Sequence, residues 1–404
     1  SHIGDNLNTT QPAASPVEPI HINKKPSVPL EYPLSEGQKG LWLIQSVSPQ
    51  MSGYNIPICM RMKTPVNVDL LSKSLKILID EQPILAASIK NTRGKLTNTF
   101  CTESTPYIEI INARSLGEDD LINELRNKSK EPIALDTGPL LKTFVYQAND
   151  SDILLIVIHH IIFDGRSLPI FLSRLLEIYT SLHMGAQVQE NYPEASYFDF
   201  VQWEQAMLGS DERQKHEKYW LDQLKNHAPA MDMITDRPRP ENGISKGQTI
   251  IQELSSEQSE SAHKLANQMG VTPAVLFLGL YFLLLRNTSN NDDMIIGMPT
   301  MGRPESRFDN LIGFFINTIA IRANASSNQT FPDFLHNLQK TVVDGLDHSV
   351  YPFPTLVGQL DVPRTRSHTP VIQVAFEYQS EATFQWQKNS RNHSLEKLPQ
   401  DIEF

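Results

Sequence analysis

The stretch from Ile153 to Gly165, ILLIVIHHIIFDG, constrains this chain more than any other. It opens with an uncharged run of Ile, Leu and Val, the composition of a strand buried on both faces. At its end it delivers His159, His160, Asp164 and Gly165, where the strand gives way to a turn. A single histidine closing a strand is more often a satisfied core residue than a catalyst, and two in succession point to opposite faces. The complete pattern, His-His-x-x-x-Asp-Gly between an apolar strand and a helix, says more than either ring alone. One imidazole can face a cleft, Asp164 can hold the turn or orient a ring, and Gly165 is expected to permit a backbone too tight for a Cβ.

The flanking sequence supplies a rigid frame for that motif. Ser167 is expected to cap a helix bearing Phe171, Leu172, Leu175 and Leu182 on one stripe, stopping at Gly185. Upstream, Ser35 and Gln38 have the spacing of a capping box, and Asn67 precedes a helix with Leu71, Leu75, Leu78 and Ile79 at helical intervals. Runs at Tyr107 to Ile111 and Leu141 to Tyr146 read as further strands, and the polar stretch Gly185 to Glu194 as a boundary between two lobes. Beyond it come a helix over His216 to Leu224, a surface loop over Asp236 to Lys246, and an apolar helix opened by Thr272-Pro273. Asp293 to Thr300 and Val371 to Tyr378 are expected to be strands. The division that follows is an extended linker at 1–30, rich in proline, with further protein attached upstream, then lobes at 31–188 and 189–404.

Composition excludes several classes of function. The chain has 404 residues, enough for two sizeable cores, and a net charge of −11 without a Lys/Arg stripe, which argues against a nucleic-acid partner. Cys59 and Cys101 are the only cysteines, too few for a zinc cluster or a disulfide framework, so no metal is expected and a reducing, cytoplasmic setting is. No secretory signal is read in the first residues, and the apolar segment Ala274 to Leu285 is too short to cross a bilayer.

His159, His160, Asp164 and Gly165 resemble the signature of the condensation domains of nonribosomal peptide synthetases, within the superfamily of chloramphenicol acetyltransferase-like acyltransferases. Other segments resemble that family's core motifs in the same order: Leu34 to Trp42, Tyr197 to Trp203, Gly297 to Pro304 and Ile312 to Thr318, with degenerate versions near His348 and Arg364. The linker and the first of these are similar to domains of hybrid polyketide–peptide assembly lines. Two departures stand out. Ala86 occupies a place where the family usually has an arginine that buttresses the aspartate, and the second lobe is expected to be shortened at its C-terminal end.

The resemblance implies an α/β fold of two acetyltransferase-like lobes forming a V-shaped pseudo-dimer with a central tunnel. Donor and acceptor carrier-protein domains of the same assembly line would enter from opposite faces on 4′-phosphopantetheine arms. No cofactor would be bound intrinsically, no membrane would be needed, and the excised domain would be monomeric. The implied reaction joins an acyl or peptidyl thioester to a carrier-bound amine, forming an amide in natural-product or antibiotic biosynthesis. His160, Asp164 and Gly165 form the expected catalytic set. His160 would orient the amine and accept its proton, Asp164 would serve as an ion-pair or turn residue more than a second base, and the Gly165 amide would support the oxyanion. His159 is expected to be structural, Arg303 to pair with Asp164 in place of the missing arginine, and Asn317 to line the tunnel. Ester formation or chain release on a hydroxyl acceptor, and a silent carrier-recruiting module, are the alternatives.

Overall fold

The computed structural model describes residues 28–100, 105–149, 151–226, 236, 247, 249–362 and 369–379, together with the backbone of 395–397. The expected linker falls almost entirely outside the described residues, as do most of the Asp236 to Lys246 loop and Cys101.

The first half starts with β1 (Glu31–Pro33) and α1 (Glu36–Val47), followed by β2 (Asn55–Met62), α2 (Val68–Glu81), β3 (Ala87–Thr92) and β4 (Lys95–Phe100). Next come β5 (Tyr107–Asn112), α3 (Glu118–Ser129), β6 (Leu141–Gln147), β7 (Asp152–His159) and α4 (Ser167–His183). All eight residues of β7 are buried, and it lies between β2 and β6, antiparallel to both. Strand β5 extends the sheet in parallel beyond β6, while β1, β4 and β3 make a separate small antiparallel sheet. Side chains of α2 and α4, Leu71, Leu172 and Leu175 among them, meet Met60, Met62 and Leu154 of the central strands. The apolar run thus becomes a middle strand because only there are both of its faces covered.

Helix α1 is anchored by its own sequence. Ser35 Oγ accepts the Gln38 N–H at 3.1 Å and Gln38 Oε1 accepts the Ser35 N–H at 3.2 Å, the expected capping box. The fully buried Gln38 then donates through Nε2 to Asn98 Oδ1 at 3.1 Å and to the Ile161 carbonyl at 3.0 Å. One amide thereby ties α1 to β4 and to the turn after β7.

The second half comprises α5 (Tyr197–Leu208), α6 (Glu212–Leu224), α7 (Ser256–Met269), α8 (Pro273–Ser289), β8 (Asp293–Thr300), β9 (Asn317–Asn324), α9 (Phe331–Asp347) and α10 (Phe353–Gln359). Strands β8 and β9 pair antiparallel along their full length. The expected strand over Val371 to Tyr378 reduces to one parallel bridge, Ala375 to Gly297, with the Gly297 N–H on the Val374 carbonyl and the Phe376 N–H on that of Gly297. Val371 has φ +65°, a left-handed conformation that breaks strand continuity. A last short strand, β10 (Leu395–Lys397), pairs with β2 in the first half.

Two cores result. The second gathers Trp220, Leu276, Phe282, Ile296, Ile321 and Leu335. The first holds β7 and its neighbours but also takes in Tyr197, Phe200, Phe308, Leu311, Ile312 and Phe315, so it draws on residues from both sides of position 188. The segment 308–315 therefore leaves the second lobe and lies against the first, beside the end of β7.

Gln38→Leu would leave Asn98 Oδ1 and the Ile161 carbonyl buried without their donor. We expect a loss of about 2–4 kcal/mol, read as a lower urea midpoint with an unchanged m-value.

Candidate active site at the end of the central strand

Strand β7 ends at His159, and residues His160–Ile162 form a single 3-10 turn before the chain reaches Asp164. His159 is 1% exposed and turns into the core, where its Nδ1 accepts the Ile161 N–H at 3.1 Å. Burial first, and the neighbouring His160 second, push its pKa down to about 3. It is a neutral, structural imidazole.

His160 faces the other way and is half-buried. Its backbone N–H donates to the Tyr54 carbonyl at 2.7 Å, which fixes the main chain. Its Nδ1 is buried and has no hydrogen-bond partner among the described residues. The ring meets Phe314 edge to face, with centroids 5.3 Å apart and planes at 86°.

Asp164 is completely buried. Its Oδ2 accepts Arg303 Nη1 at 3.0 Å and the Phe315 N–H at 3.2 Å. Its Oδ1 accepts Arg303 Nη2 at 3.1 Å, the Ser167 N–H at 2.8 Å and Ser167 Oγ–H at 2.7 Å. Ser167 is therefore the first residue of α4 and not its cap: Asp164, three residues earlier, receives the helix's free N–H, and the Ser167 hydroxyl accepts the Gly313 N–H at 3.1 Å. Arg303 spreads its guanidinium over the Phe315 ring, 4.2 Å from the centroid, and also donates to the Leu311 carbonyl at 3.0 Å. The side chains of this pair are 2% and 1% exposed.

The loops holding Arg303 and Phe315 fit too closely for larger residues. Gly302 has φ +60°, and a Cβ there would lie 1.5 Å from the Phe315 carbonyl oxygen. At Gly313 a Cβ would lie 2.3 Å from the Tyr197 ring. Gln82 fastens the same segment from α2, accepting the Ile312 N–H at 3.1 Å and donating to the Asn310 carbonyl at 3.0 Å.

Gly165 corrects the sequence expectation. Its φ is not positive and a Cβ built there meets nothing within 4 Å, so the turn is not tight at this point. The glycine instead leaves open space in front of the helix start, and its N–H has no partner among the described residues. Asn317 has a backbone-holding role that the sequence reading did not include. It donates to the Ser349 and Tyr351 carbonyls, both at 2.7 Å, and accepts the Phe353 N–H at 2.9 Å. Both of its N–H groups and one oxygen lone pair thus hold the backbone around Ser349 to Phe353.

The structure thus brings Asp164 and Arg303 into direct contact and links them through Phe315 and Phe314 to His160, while Asn317 begins β9 just beyond that segment. Sequence reasoning missed Ser167 as an ion-pair partner, Gln82 as a fastener, and Phe314 against the imidazole. The Gly-Phe-Phe sequence at 313–315 was the available signal, since alternate residues of an extended segment face opposite ways. Tyr197 does more than pack. Its hydroxyl donates to the Phe314 carbonyl at 2.7 Å and meets Ser35 Oγ at 3.0 Å.

The chain has relatives among known proteins. Residues 29–403 match the family model of the condensation domain. Over 351 residues the chain is 39% identical to the polyketide synthase PksN of Bacillus subtilis (strain 168), covering 87% of this chain and 6% of that protein. It is 30% identical over 342 residues to bacitracin synthase 3 of Bacillus licheniformis, covering 84% of this chain and 5% of that one. The chain therefore spans only a small part of these relatives. Among solved structures, a four-domain holo nonribosomal peptide synthetase bound to AMP and glycine superposes with a TM-score of 0.77 at 24% identity, over 89% of this chain and 27% of that one. The condensation domain of the Monacolin K polyketide synthase gives 0.71 at 18% identity, over 89% and 84%. Both are likenesses of fold.

Two outcomes are expected from this geometry. Arg303→Met keeps volume but strands a buried carboxylate, and should cost about 3–5 kcal/mol in chemical denaturation, with part recovered in Asp164→Asn/Arg303→Met. His159 has a folded pKa below its unfolded one, so its contribution to stability is intact above about pH 6.5 and is lost as pH falls toward 3. His159→Asn, which keeps an acceptor for the Ile161 N–H, should therefore gain in melting temperature relative to the parent as pH drops from 7 to 4; a pH-independent difference would contradict that assignment.

Proposed function

The chain belongs to the condensation-domain family, and from that premise we propose that it joins a carrier-bound acyl or peptidyl thioester to the amine of a carrier-bound acceptor, forming an amide. Condensation domains are, as a class, acyl-transferring enzymes of peptide and polyketide–peptide assembly lines. The observation that supports the finer reading is a half-buried imidazole with no carboxylate partner among the described residues, followed five residues on by a glycine with open space before it. Asp164 cannot act as the second base of a relay, because five donors already occupy its oxygens. His160 consequently works as an orienting group that also takes a proton.

The magnitudes agree with that division of labour. An α-amine has a reference pKa of roughly 8 and imidazole roughly 6.5, so proton acceptance at neutral pH is feasible without strong activation. Proton transfer contributes about 10²- to 10⁴-fold, whereas good orientation is worth effective molarities on the order of 10⁵ M or more. The tetrahedral intermediate formed when the amine attacks the thioester carbonyl carries an oxyanion, and the unpartnered Gly165 N–H is the donor we assign to it. Collapse of that intermediate expels the thiolate of the donor arm, which takes up the proton the amine has lost.

The substrates are proposed to arrive on 4′-phosphopantetheine arms of donor and acceptor carrier domains, through a tunnel between the lobes. The relationship to a polyketide synthase supports a donor of the polyketide-carrier type. Nothing in the site requires a bound cofactor for this chemistry.

A single-turnover assay with loaded donor and acceptor carriers tests the reading. His160→Ala should lower amide formation by about a hundredfold or more while the melting curve stays unchanged. An unaltered rate would remove His160 from the mechanism. Product from hydroxyl acceptors alone would redirect the assignment to ester formation, and no product with any loaded pair would indicate a recruiting module.

A further inference from the structure

A catalytic imidazole is ordinarily oriented by the acceptor that holds its second nitrogen, which sets both the tautomer and the ring plane. His160 lacks that device: its Nδ1 is buried and unpartnered among the described residues, and Asp164 is fully engaged elsewhere. The ring is nevertheless confined. We infer that Phe314 is the positioning residue for His160, setting the imidazole plane by aromatic contact where other sites use a hydrogen bond. This rests on the reading of His160 as the reacting group and extends it.

Three observations make Phe314 a fixed surface rather than a loose neighbour. Its ring stands at 86° to the imidazole with centroids 5.3 Å apart, the edge-to-face arrangement that aromatic quadrupoles favour. Behind it lies α1, packed so closely that a Cβ on Gly37 would come within 2.9 Å of Phe314 Cε1. Its backbone is held on every side: the carbonyl accepts the Tyr197 hydroxyl at 2.7 Å, the preceding Gly313 N–H goes to Ser167 Oγ at 3.1 Å, and the following Phe315 N–H goes to Asp164 at 3.2 Å.

The last of these contacts links the buried ion pair to the reacting group. Asp164 and Arg303 touch nothing of His160 directly. They fix the extended segment 313–315, whose successive side chains face Arg303 through Phe315 and His160 through Phe314. Asp164 thus acts on the imidazole through the strap, and its carboxylate serves catalysis without receiving a proton.

The test compares Phe314→Leu with Phe314→Tyr in the intact domain. Single-turnover amide formation in Phe314→Leu should fall about tenfold or more at saturating acceptor carrier, with the half-saturating concentration unchanged, and Phe314→Tyr should restore the rate to within about twofold. The His160 ring resonance, assigned in histidine-labelled protein by its loss in His160→Ala, should carry an aromatic ring-current shift in the parent and in Phe314→Tyr but not in Phe314→Leu. If Phe314→Leu does not fold, Phe314→Met takes its place under the same criteria. A parent-like rate in the non-aromatic variant, or a His160 resonance that does not move, overturns the inference. The rate criterion applies where His160→Ala itself lowers the rate; if that variant leaves the rate unaltered, the proposed reaction fails on its own account, and the positioning of the ring is then decided by the resonance alone, an unmoved shift in Phe314→Leu overturning it.

Discussion

The buried pair of Asp164 and Arg303 is the interaction on which the arrangement of this site depends. Removing two charges from water costs several kcal/mol per ion, and mutual attraction offsets that only when geometry is good and the remaining lone pairs and protons are satisfied. Here the pairing is bidentate, and the carboxylate takes three further hydrogen bonds, from the amide and hydroxyl of Ser167 and the amide of Phe315. The five donors come from three pieces of chain: Ser167 at the start of α4, Arg303 in the loop after β8 and Phe315 in the strap before β9. An apolar pair of the same volume would hold these pieces together but would not select a single register among them. The ion pair does so, since displacement by a few ångströms would leave a buried charge bare.

Much of the frame was legible in the sequence because it rests on local rules. The capping box at Ser35, the caps at Asn67 and Thr272, the proline at the first turn of α8 and the uncharged run of β7 are all visible to periodicity and cap chemistry, and the elements form there. Three readings fail where tertiary contacts outrank local preference. Ser167 has the identity of an N-cap, yet Arg166 holds that position and the first helical N–H goes to Asp164, whose carboxylate also collects Arg303 and Phe315. Gly165 suggests tightness, but the tight glycines are Gly302 and Gly313, which lie more than 100 residues away from the motif in sequence. The run from Val371 to Tyr378 has strand composition and finds only one bridge at the edge of β8. Spacing along a chain carries no information about which distant backbone will approach it.

The buried titratable groups around the site pull stability in opposite directions with pH. Glu204, buried on α5, accepts the Glu36 N–H at 2.7 Å, and burial raises its pKa to about 7. A carboxyl whose folded pKa exceeds its unfolded one stabilises at low pH, and the contribution is lost as pH rises from about 4.5 through 7. His159 has the opposite slope, intact above about 6.5 and lost as pH falls toward 3. Between about 4.5 and 6.5 their slopes oppose, so on mild acidification what His159 loses is partly offset by Glu204.

That separation also bears on what the paired histidines are for. They are adjacent in sequence, yet one is buried in the core and the other only half-buried, so a single motif supplies a structural imidazole and the one proposed to react. A hydrolase-like relay would require the motif's aspartate to sit behind the reactive ring, and here it sits behind the strap. A ring without that relay suits the proposed reaction, in which the nucleophile would already be an amine and the main difficulty would be bringing two tethered substrates into line. Under that condition the geometry of the ring matters more than its basicity, and the packing that holds the ring becomes part of the catalytic apparatus.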